Sequence, residues 1–194
     1  MLIYAIRHGQ TDWNAEGRLQ GARDVPLNDI GRTQARGNGR LLKKLLGDGA
    51  EIFDFVSSPL GRARETMRLI RAEMGFEPDG YRTDERLIEV AFGDWEARTL
   101  EEVDAAFPGA VATRDADKWH FLPPGDGAES YEMLSKRVAG WLDTVEGPTV
   151  CVAHGGIIRS FIRLLGGAGP DEAAMATIHQ DRILRIDGDG LEWI

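Results

Sequence analysis

Three short apolar runs along the chain have the length and hydrophobicity of buried β-strands. They cover Leu2–Ile6, Glu51–Ser57 and Thr149–Ala153, and each is followed by polar residues or glycine. Apolar runs of about four to eight residues are typical of strands that are covered on both faces. The tail, from about Ala174, has the pattern of two shorter strands with a turn around Asp187–Gly190.

Longer stretches between these runs repeat their apolar residues at the spacing of α-helices. The first helix is predicted from about Asp29 to Leu46, with Asn28 as its N-terminal cap. Glycines at positions 37 and 39 weaken this prediction, because glycine is unfavourable inside a helix. The apolar side of this helix is predicted to contain Ile30, Leu41, Leu42 and Leu45.

Three further long helices are predicted, and one segment is expected to act as a lid. One helix follows SSPLGRA and ends at Gly75, another begins at Ser130, and the third is the glycine-led HGGIIRSFIRLLG. Thr99 and Glu102 have the spacing of a capping box for a short helix. Residues 99–128 are therefore predicted to form a lid or insertion, with Gly109–Ala128 as its loop.

The alternation of strands and helices indicates an α/β fold with a largely parallel sheet. A chain of 194 residues fits one domain, and residues 1–194 are predicted to form it. No internal repeat or low-complexity linker interrupts the pattern.

The composition excludes several classes of protein. With 23 Lys and Arg against 32 Asp and Glu, the formal charge is −9, which argues against a nucleic-acid-binding protein. The single cysteine, Cys151, lies among apolar residues and is predicted to be a buried core thiol. No window approaches the roughly 18 uncharged apolar residues of a membrane span, so we expect a soluble cytoplasmic protein without a membrane partner.

The chemistry is concentrated at the ends of two predicted strands. YAIRHG and CVAHGG each deliver a histidine followed by glycine, at His8 and His154. Ligands of α/β sheets bind outside the carboxyl ends of the strands, so both histidines are expected at one rim. Arg7 and Arg62 add guanidinium groups, which hold phosphate oxygens in a bidentate fork. The helix that begins after His154 is expected to favour an anion at its N-terminus.

These residues predict a phosphoryl pocket in which one histidine is the nucleophile. A free imidazole titrates near pH 6.5, and neighbouring arginines lower its pKa and keep it neutral. Attack on phosphorus would give a phosphohistidine, while the arginines stabilise the charge of the transferred group without a metal.

Four motifs, RHGQTDWN, SSPLGRARET, LIEVAFGDWE and VAHGG, occur in this order within residues 1–165. Together they resemble the histidine phosphatase superfamily, also called the phosphoglycerate mutase-like family. The resemblance implies a three-layer α/β/α sandwich, no cofactor and no metal. It implies that His8 is the nucleophile, that Arg7, Arg62 and His154 complete the phosphate pocket, and that Asn14 contacts phosphate. By the same resemblance, Glu89 is the carboxylate that protonates the leaving oxygen and later activates water.

Other site assignments come from the residues near these motifs. Gln20 and Gly21 are predicted to line the mouth of the site, and Gly155 is expected to bind substrate at the start of its helix. Nearby Asp84, Glu85 and Asp94 compete with Glu89 for its role. His120 and His179 lie outside the motifs and are interpreted as packing or surface histidines.

The sequence departs from the family pattern at three places. Glu65 stands where the family often has Gln, Ala97 follows WE where Gly is usual, and PPGDGAES carries more residues than the family's PGGES. None of these changes removes a predicted catalytic group. They make the substrate harder to assign from the resemblance.

The leading hypothesis is a metal-independent phosphomonoesterase that acts on a small phosphate ester. The alternatives are a phosphoglycerate mutase, a non-catalytic module that binds a phosphorylated ligand, and a metallohydrolase. A mutase is disfavoured because family mutases carry basic residues after the glutamate and a shielding C-terminal tail, whereas this sequence ends at Ile194. Neither the substrate nor the oligomeric state is predicted.

Overall fold

In the computed structural model, which describes residues 1–194, a six-stranded sheet forms the centre of the molecule. The strands are β1 (Ile3–Arg7), β2 (Asp54–Ser57), β3 (Arg82–Thr83), β4 (Thr149–Ala153), β5 (Leu184–Asp187) and β6 (Gly190–Trp193). Their order is β3-β2-β4-β1-β5-β6. The first four are parallel, whereas β5 and β6 form an antiparallel hairpin beside β1. The predicted α/β fold with a mostly parallel sheet is confirmed.

Eight helices connect and cover the strands. They are α1 (Asp12–Ala15), α2 (Asp29–Leu46), α3 (Gly61–Met74), α4 (Leu100–Ala106), α5 (Ala110–Ala116), α6 (Tyr131–Leu142), α7 (Gly155–Leu165) and α8 (Pro170–Met175). Short 3-10 turns occupy Gly47–Ile52, Glu85–Leu87 and Gly93–Trp95. No helix is both long enough and apolar enough to cross a bilayer.

The sheet separates two apolar cores, which makes the fold a three-layer α/β/α sandwich. Successive side chains of β1 and β4 point to opposite faces, as the period of a strand requires. Tyr4, Ile6, Val150 and Val152 face the core formed with α2 and α3. Ile3, Ala5, Cys151 and Ala153 face the larger core formed with α6 and α7.

The N-terminal caps agree with the sequence, but two predicted boundaries do not. Asn28, Ser130 and Thr99 all accept the expected backbone hydrogen bond, and Thr99 forms the complete capping box. The strand predicted over Glu51–Ser57 begins only at Asp54, because the preceding residues form a 3-10 turn that leaves Ile52 exposed. The predicted loop Gly109–Ala128 contains a helix, α5.

The apolar face predicted for α2 is wrong. Ile30 and Leu45 are 58% and 48% exposed, and only Leu42 of the predicted face is fully buried. The buried side consists mainly of small or polar residues: Gly31, Ala35, Asn38, Gly39 and Leu42. Small residues let α2 and α3 approach closely. A Cβ atom at Gly39 would lie 2.8 Å from the carbonyl oxygen of Ile70.

This contact generates a prediction with a control on the same helix. Gly39→Ala is expected to lower the free energy of unfolding, because overpacking against backbone costs about 1–3 kcal/mol and exceeds the gain in helix propensity. Gly37→Ala, where a Cβ would meet nothing within 4 Å, is expected to raise it by about 0.5–1 kcal/mol. Urea unfolding of both variants measures the difference, and equal stabilisation by both would contradict the close packing.

Candidate active site

The two predicted histidines lie side by side at the carboxyl ends of β1 and β4. Arg7 pairs in register with Ala153, and the backbone N–H of His8 donates to the carbonyl oxygen of Ala153 over 2.9 Å. The ring centroids of His8 and His154 are 5.2 Å apart. Parallel pairing of two adjacent strands thus brings together residues that are 146 positions apart in the numbering.

The hydrogen bonds of His8 select one tautomer of its ring. Nδ1 lies 2.7 Å from the carbonyl oxygen of Gly9. A carbonyl oxygen only accepts, so Nδ1 carries the proton. Nε2 then has a free lone pair, and it accepts a hydrogen bond from Nε of Arg62 over 3.2 Å. The ring nitrogen that carries the lone pair is therefore Nε2, on the side of the ring that faces Arg62.

Burial and charge keep both imidazoles neutral. Burial, reinforced by the positive charges of Arg62 and Arg7, holds the pKa of His8 well below its ordinary value of 6.5. The pKa of His154 is also far below that value, first because of burial and then because of Arg62. A neutral imidazole is the form that can attack phosphorus.

The loop after His8 is clamped between α2 and α3. The backbone N–H of Gly9 donates to the hydroxyl of Thr66 on α3 over 3.1 Å. On its other side, Gly9 packs so closely against α2 that a Cβ would lie 2.2 Å from the carbonyl oxygen of Gly31. Only glycine fits this gap, which explains why it must follow His8.

Arg62 is the second residue of α3, and its buried side chain is held by backbone carbonyls. Its Nη1 and Nη2 donate to the carbonyl oxygens of Arg23 and Gly21 over 2.5 and 2.8 Å. Asp24 caps α3 by accepting from the N–H of Gly61, and its carboxylate lies 3.8 Å from Arg62. Burial lowers the pKa of Arg62. The guanidinium therefore ties the loop around residues 21–24 to the histidine rim.

Arg7 lies at the site without forming a close ion pair. Its Nη1 donates to the carbonyl oxygen of Ile178 over 3.2 Å. None of the ion pairs in the structure includes Arg7, and its Nε is buried without a hydrogen-bond partner. Burial lowers the pKa of Arg7, and the nearby Glu89 carboxylate acts in the opposite direction.

Buried polar atoms without partners are concentrated here. Three of the six such side-chain atoms in the protein belong to predicted site residues: Nε of Arg7, Nδ1 of His154 and Oε1 of Gln20. The Nε2 of His154 is occupied by the hydroxyl of Ser58 at 2.7 Å. A buried unpaired polar group is costly, and an oxygen-rich ligand such as phosphate would satisfy the two nitrogens.

Glu89 lies beside this pocket at the N-terminus of α7. The N–H of Gly156 donates to its Oε1 and Oε2 over 3.0 and 3.3 Å, and the N–H of Val90 donates to Oε1 over 3.0 Å. An N–H group at the N-terminus of α7 therefore orients the Glu89 carboxylate, and binding of phosphate at this helix end stays a prediction. Of the rival carboxylates, Asp84 is paired with Arg86, while Glu85 and Asp94 are exposed.

The remaining predicted residues occupy the rim in different ways. Oδ1 of Asn14 accepts from the N–H of Thr11 and from Nε2 of Gln180. Gln20 is buried next to Gly21, whose carbonyl oxygen holds Arg62. Gly155 leaves a gap in which a Cβ would lie 3.1 Å from Arg159 and 3.8 Å from both Arg7 and Glu89.

Sequence reasoning missed Gln180, which organises the site from the far end of the chain. Its side-chain amide donates to the carbonyl oxygen of His8 over 3.0 Å and to Asn14 over 3.1 Å, and its own backbone carbonyl accepts from Asn38. It stands beside His179, which instead contacts Trp193 edge-on. No motif surrounds Gln180, so only the structure reveals that it contacts the site. Ser58 and Thr66, by contrast, lie in the SSPLGRARET motif.

Two of the departures from the family pattern have local structural accounts. Glu65 pairs with Arg32 of α2 at 2.7 Å. Ala97 is the only non-glycine residue with a positive φ, of 69°. A side chain in this conformation costs about 1–2 kcal/mol, which explains why glycine is usual at this position.

Other reactive groups lie away from the rim. Cys151 is buried in β4, and burial raises the pKa of its thiol. His120 is exposed and contacts Asp117 at 2.7 Å. No three His, Cys, Asp or Glu side chains are grouped as metal ligands. The groups brought together at the rim are therefore neutral imidazoles, two guanidiniums and one oriented carboxylate.

Comparison with known proteins finds relatives over most of the chain. A 36% identity over 170 residues relates the chain to glucosyl-3-phosphoglycerate phosphatase of Mycobacterium tuberculosis, covering 81% of this chain and 72% of the relative. Phosphoglycerate mutase-like protein 4 of Arabidopsis thaliana is 36% identical over 163 residues, covering 81% of this chain and 68% of the relative.

Solved structures show the same likeness in three dimensions. Mycobacterial glucosyl-3-phosphoglycerate phosphatase, solved in complex with VO3, superposes with a TM-score of 0.80 at 30% sequence identity, covering 100% of this chain and 96% of that one. The sequence also matches the family model of the histidine phosphatase superfamily (branch 1) over residues 3–194. The chain belongs to the histidine phosphatase superfamily.

Proposed function

We propose that this protein is a phosphomonoesterase that hydrolyses a small phosphate ester through a phosphohistidine on Nε2 of His8. The observation that carries the proposal is the state of His8, a buried neutral imidazole with its lone pair on Nε2 and guanidiniums nearby. Similarity to relatives named as phosphatases supports the same reaction. A metal ion has no part in this scheme.

In the first step, Nε2 of His8 attacks phosphorus, and the bond between phosphorus and the ester oxygen breaks. The leaving oxygen takes a proton from Glu89, so that the alcohol departs neutral and Glu89 becomes a carboxylate. In the second step, Glu89 accepts a proton from water as the water attacks the phosphohistidine. Inorganic phosphate leaves, and both His8 and Glu89 return to their initial states.

Arg7 and Arg62 would stabilise the charge that spreads over the phosphoryl oxygens in both steps. Arg62 and the Nε atom of Arg7 are buried, where an electrostatic interaction is stronger than in water. They are already held by backbone carbonyls, so little reorganisation is needed when the substrate binds. Residues 99–128 would serve as the lid over the leaving group.

The same relatives support a choice of substrates to test. Glucosyl-3-phosphoglycerate and other phosphorylated sugars or sugar acids are the first compounds to assay. A mutase remains the competing activity, since one relative is named phosphoglycerate mutase-like. Efficient interconversion of 2- and 3-phosphoglycerate with little release of inorganic phosphate would favour the mutase over the phosphatase.

The first test removes the nucleophile. His8→Ala is expected to lower kcat for p-nitrophenyl phosphate by at least about 10³-fold, because it removes the proposed nucleophile, while Nε2 of the neighbouring His154 is engaged by Ser58. When the wild type is mixed with ³²P-labelled substrate and quenched rapidly without acid, the protein should carry the label. The bond to the label should be stable to alkali and labile to acid. Activity should survive a chelator.

His120→Ala is the matched control, because this histidine is exposed and lies outside the rim. It should retain wild-type phosphohistidine labelling, because it leaves His8 in place. Substantial turnover or labelling by His8→Ala, or loss of activity with the chelator, would refute the mechanism.

The second test isolates the role of Glu89 as an acid. Glu89→Gln is expected to lower kcat/KM for an alkyl phosphate by about 10²–10⁴-fold, because an alkoxide needs a proton to leave. The loss should be much smaller for p-nitrophenyl phosphate, whose leaving group is stable as an anion. Glu85→Gln is the matched control, because Glu85 is exposed and should leave both rates unchanged. Equal losses on the two substrates for Glu89→Gln would argue against a general acid.

The third test reads the protonation state of His8 directly. Its pKa lies well below the ordinary value, so the ring stays neutral as the pH falls through 6.5 and becomes protonated only at much lower pH. The ¹⁵N shifts of the imidazole should show the Nδ1–H tautomer at pH 6. The signal is assigned by its loss in His8→Asn, and a doubly protonated ring at pH 6 would contradict the proposal.

A further inference from the structure

Gln180 lies between α8 and β5, and its side-chain amide connects two residues of the rim. Nε2 donates to the carbonyl oxygen of His8 over 3.0 Å and to Oδ1 of Asn14 over 3.1 Å. The backbone of Gln180 is anchored as well, because its carbonyl oxygen accepts from Nδ2 of Asn38, a buried residue of α2, over 3.1 Å. The residue is therefore held through both its backbone and its side chain.

The contact with His8 determines which way the Gln180 amide faces. A backbone carbonyl oxygen can only accept, so the atom of Gln180 that faces it must be the amide nitrogen. An amide nitrogen can only donate, so the atom of Asn14 that contacts the same nitrogen must be its oxygen. The orientation of the Asn14 side chain thus follows from a fixed backbone group.

A second donor leads independently to the same orientation. The backbone N–H of Thr11 donates to Oδ1 of Asn14 over 3.2 Å, as one half of the capping box that begins α1. The two donors occupy both lone pairs of this oxygen. If the Asn14 amide turned over, its NH₂ group would face two donors, and both hydrogen bonds would be lost.

The free end of the Asn14 amide is its nitrogen. Both hydrogen bonds of this side chain are made by Oδ1, so Nδ2 keeps two N–H donors that no protein group accepts. Phosphate oxygens accept hydrogen bonds, whereas an amide oxygen in the same place would repel them. The Asn14 side chain in this orientation suits a phosphoryl group, and the opposite orientation does not.

A structural bridge alone accounts for only part of this arrangement. To tie the segment after α8 to the end of β1, one hydrogen bond from Gln180 to the His8 carbonyl would be enough. The second bond goes to a half-buried side chain whose nitrogen binds no other part of the protein. This second bond therefore serves the orientation of Asn14 rather than the joining of the two segments.

We propose that Gln180 is a positioning residue of the phosphate site. It holds the Asn14 amide with its N–H donors directed to the phosphoryl group, and it acts through Asn14 without touching the substrate. This inference rests on the proposed function, because it takes the reacting phosphoryl group to lie against His8 and Asn14. The segment before β5 is then part of the phosphate site.

Removing the donor from Gln180 tests this role. Gln180→Met keeps the length of the side chain but cannot donate to Asn14, whose amide is then free to turn over. We expect kcat/KM for p-nitrophenyl phosphate to fall about tenfold, chiefly through a higher KM, because the lost interaction is with the phosphoryl group. Asp181→Asn is the matched control, because this neighbour is exposed and should leave both constants unchanged.

A double-mutant cycle separates an effect through Asn14 from a general effect on the fold. If Gln180 acts through Asn14, adding Gln180→Met to Asn14→Ala should lower kcat/KM by less than about twofold, because the group that it positions is already gone. Losses that multiply in the double variant would overturn this inference. An unchanged KM in Gln180→Met would overturn it as well.

Binding of inorganic phosphate provides a readout that does not need turnover. The side-chain amide signals of Asn14 in ¹H–¹⁵N spectra are assigned by their loss in Asn14→Ala. They should shift when phosphate is added to the wild type, and they should shift by less than half as much in Gln180→Met. A full shift in Gln180→Met would contradict the inference.

Asn14→Asp keeps the inference testable if thermal unfolding shows that Gln180→Met does not fold. The carboxylate can still accept from Thr11 and Gln180 but has no N–H donor. The variant should therefore fold and should bind inorganic phosphate at least about tenfold more weakly than the wild type. Wild-type affinity in this variant would overturn the inference. If the wild type still forms a phosphohistidine on His8 in that case, the proposed function stands, whereas a wild type without any hydrolysis counts against the function itself.

Discussion

The hydrogen bond from Nδ1 of His8 to the carbonyl oxygen of Gly9 is the constraint on which the site depends. It assigns the proton to Nδ1 and leaves the lone pair on Nε2, the nitrogen that attacks phosphorus in the proposed mechanism. The carbonyl can hold this position because Gly9 is fixed by Thr66 of α3 and by its contact with Gly31 of α2. A single backbone group thus links the packing of α2 against α3 to the chemistry of the ring.

The cations of the site are held mainly by main-chain oxygens. Arg62 donates to Gly21 and Arg23, Arg7 donates to Ile178, and Arg159 donates to Ala174 and Ala176. A carbonyl orients a guanidinium but leaves its full positive charge in place. If carboxylates held the same groups, they would cancel the field that attracts a phosphate. The choice of backbone acceptors therefore suits an anion site.

The sequence predicted the features that follow from local patterns and from the pairing of strands. It did not predict the features that depend on contacts between distant segments. The strands β1 and β4 were visible as apolar runs, and parallel pairing then implied that His8 and His154 would meet. The buried face of α2 was predicted wrongly, since helix packing through Gly39 and Ala35 leaves no apolar pattern. Gln180 could not be found, because its bonds to His8 and Asn14 join segments more than 160 positions apart.

The segment 174–178 acts on the site through its backbone carbonyl oxygens rather than through its side chains. Its carbonyl oxygens aim Arg7, Lys118 and Arg159, and every residue type offers the same oxygen. Evolution can therefore exchange residues here with little effect on catalysis. Inserting or deleting even one residue would shift the register of these acceptors, so the length of the segment, rather than its composition, should be restrained among related enzymes.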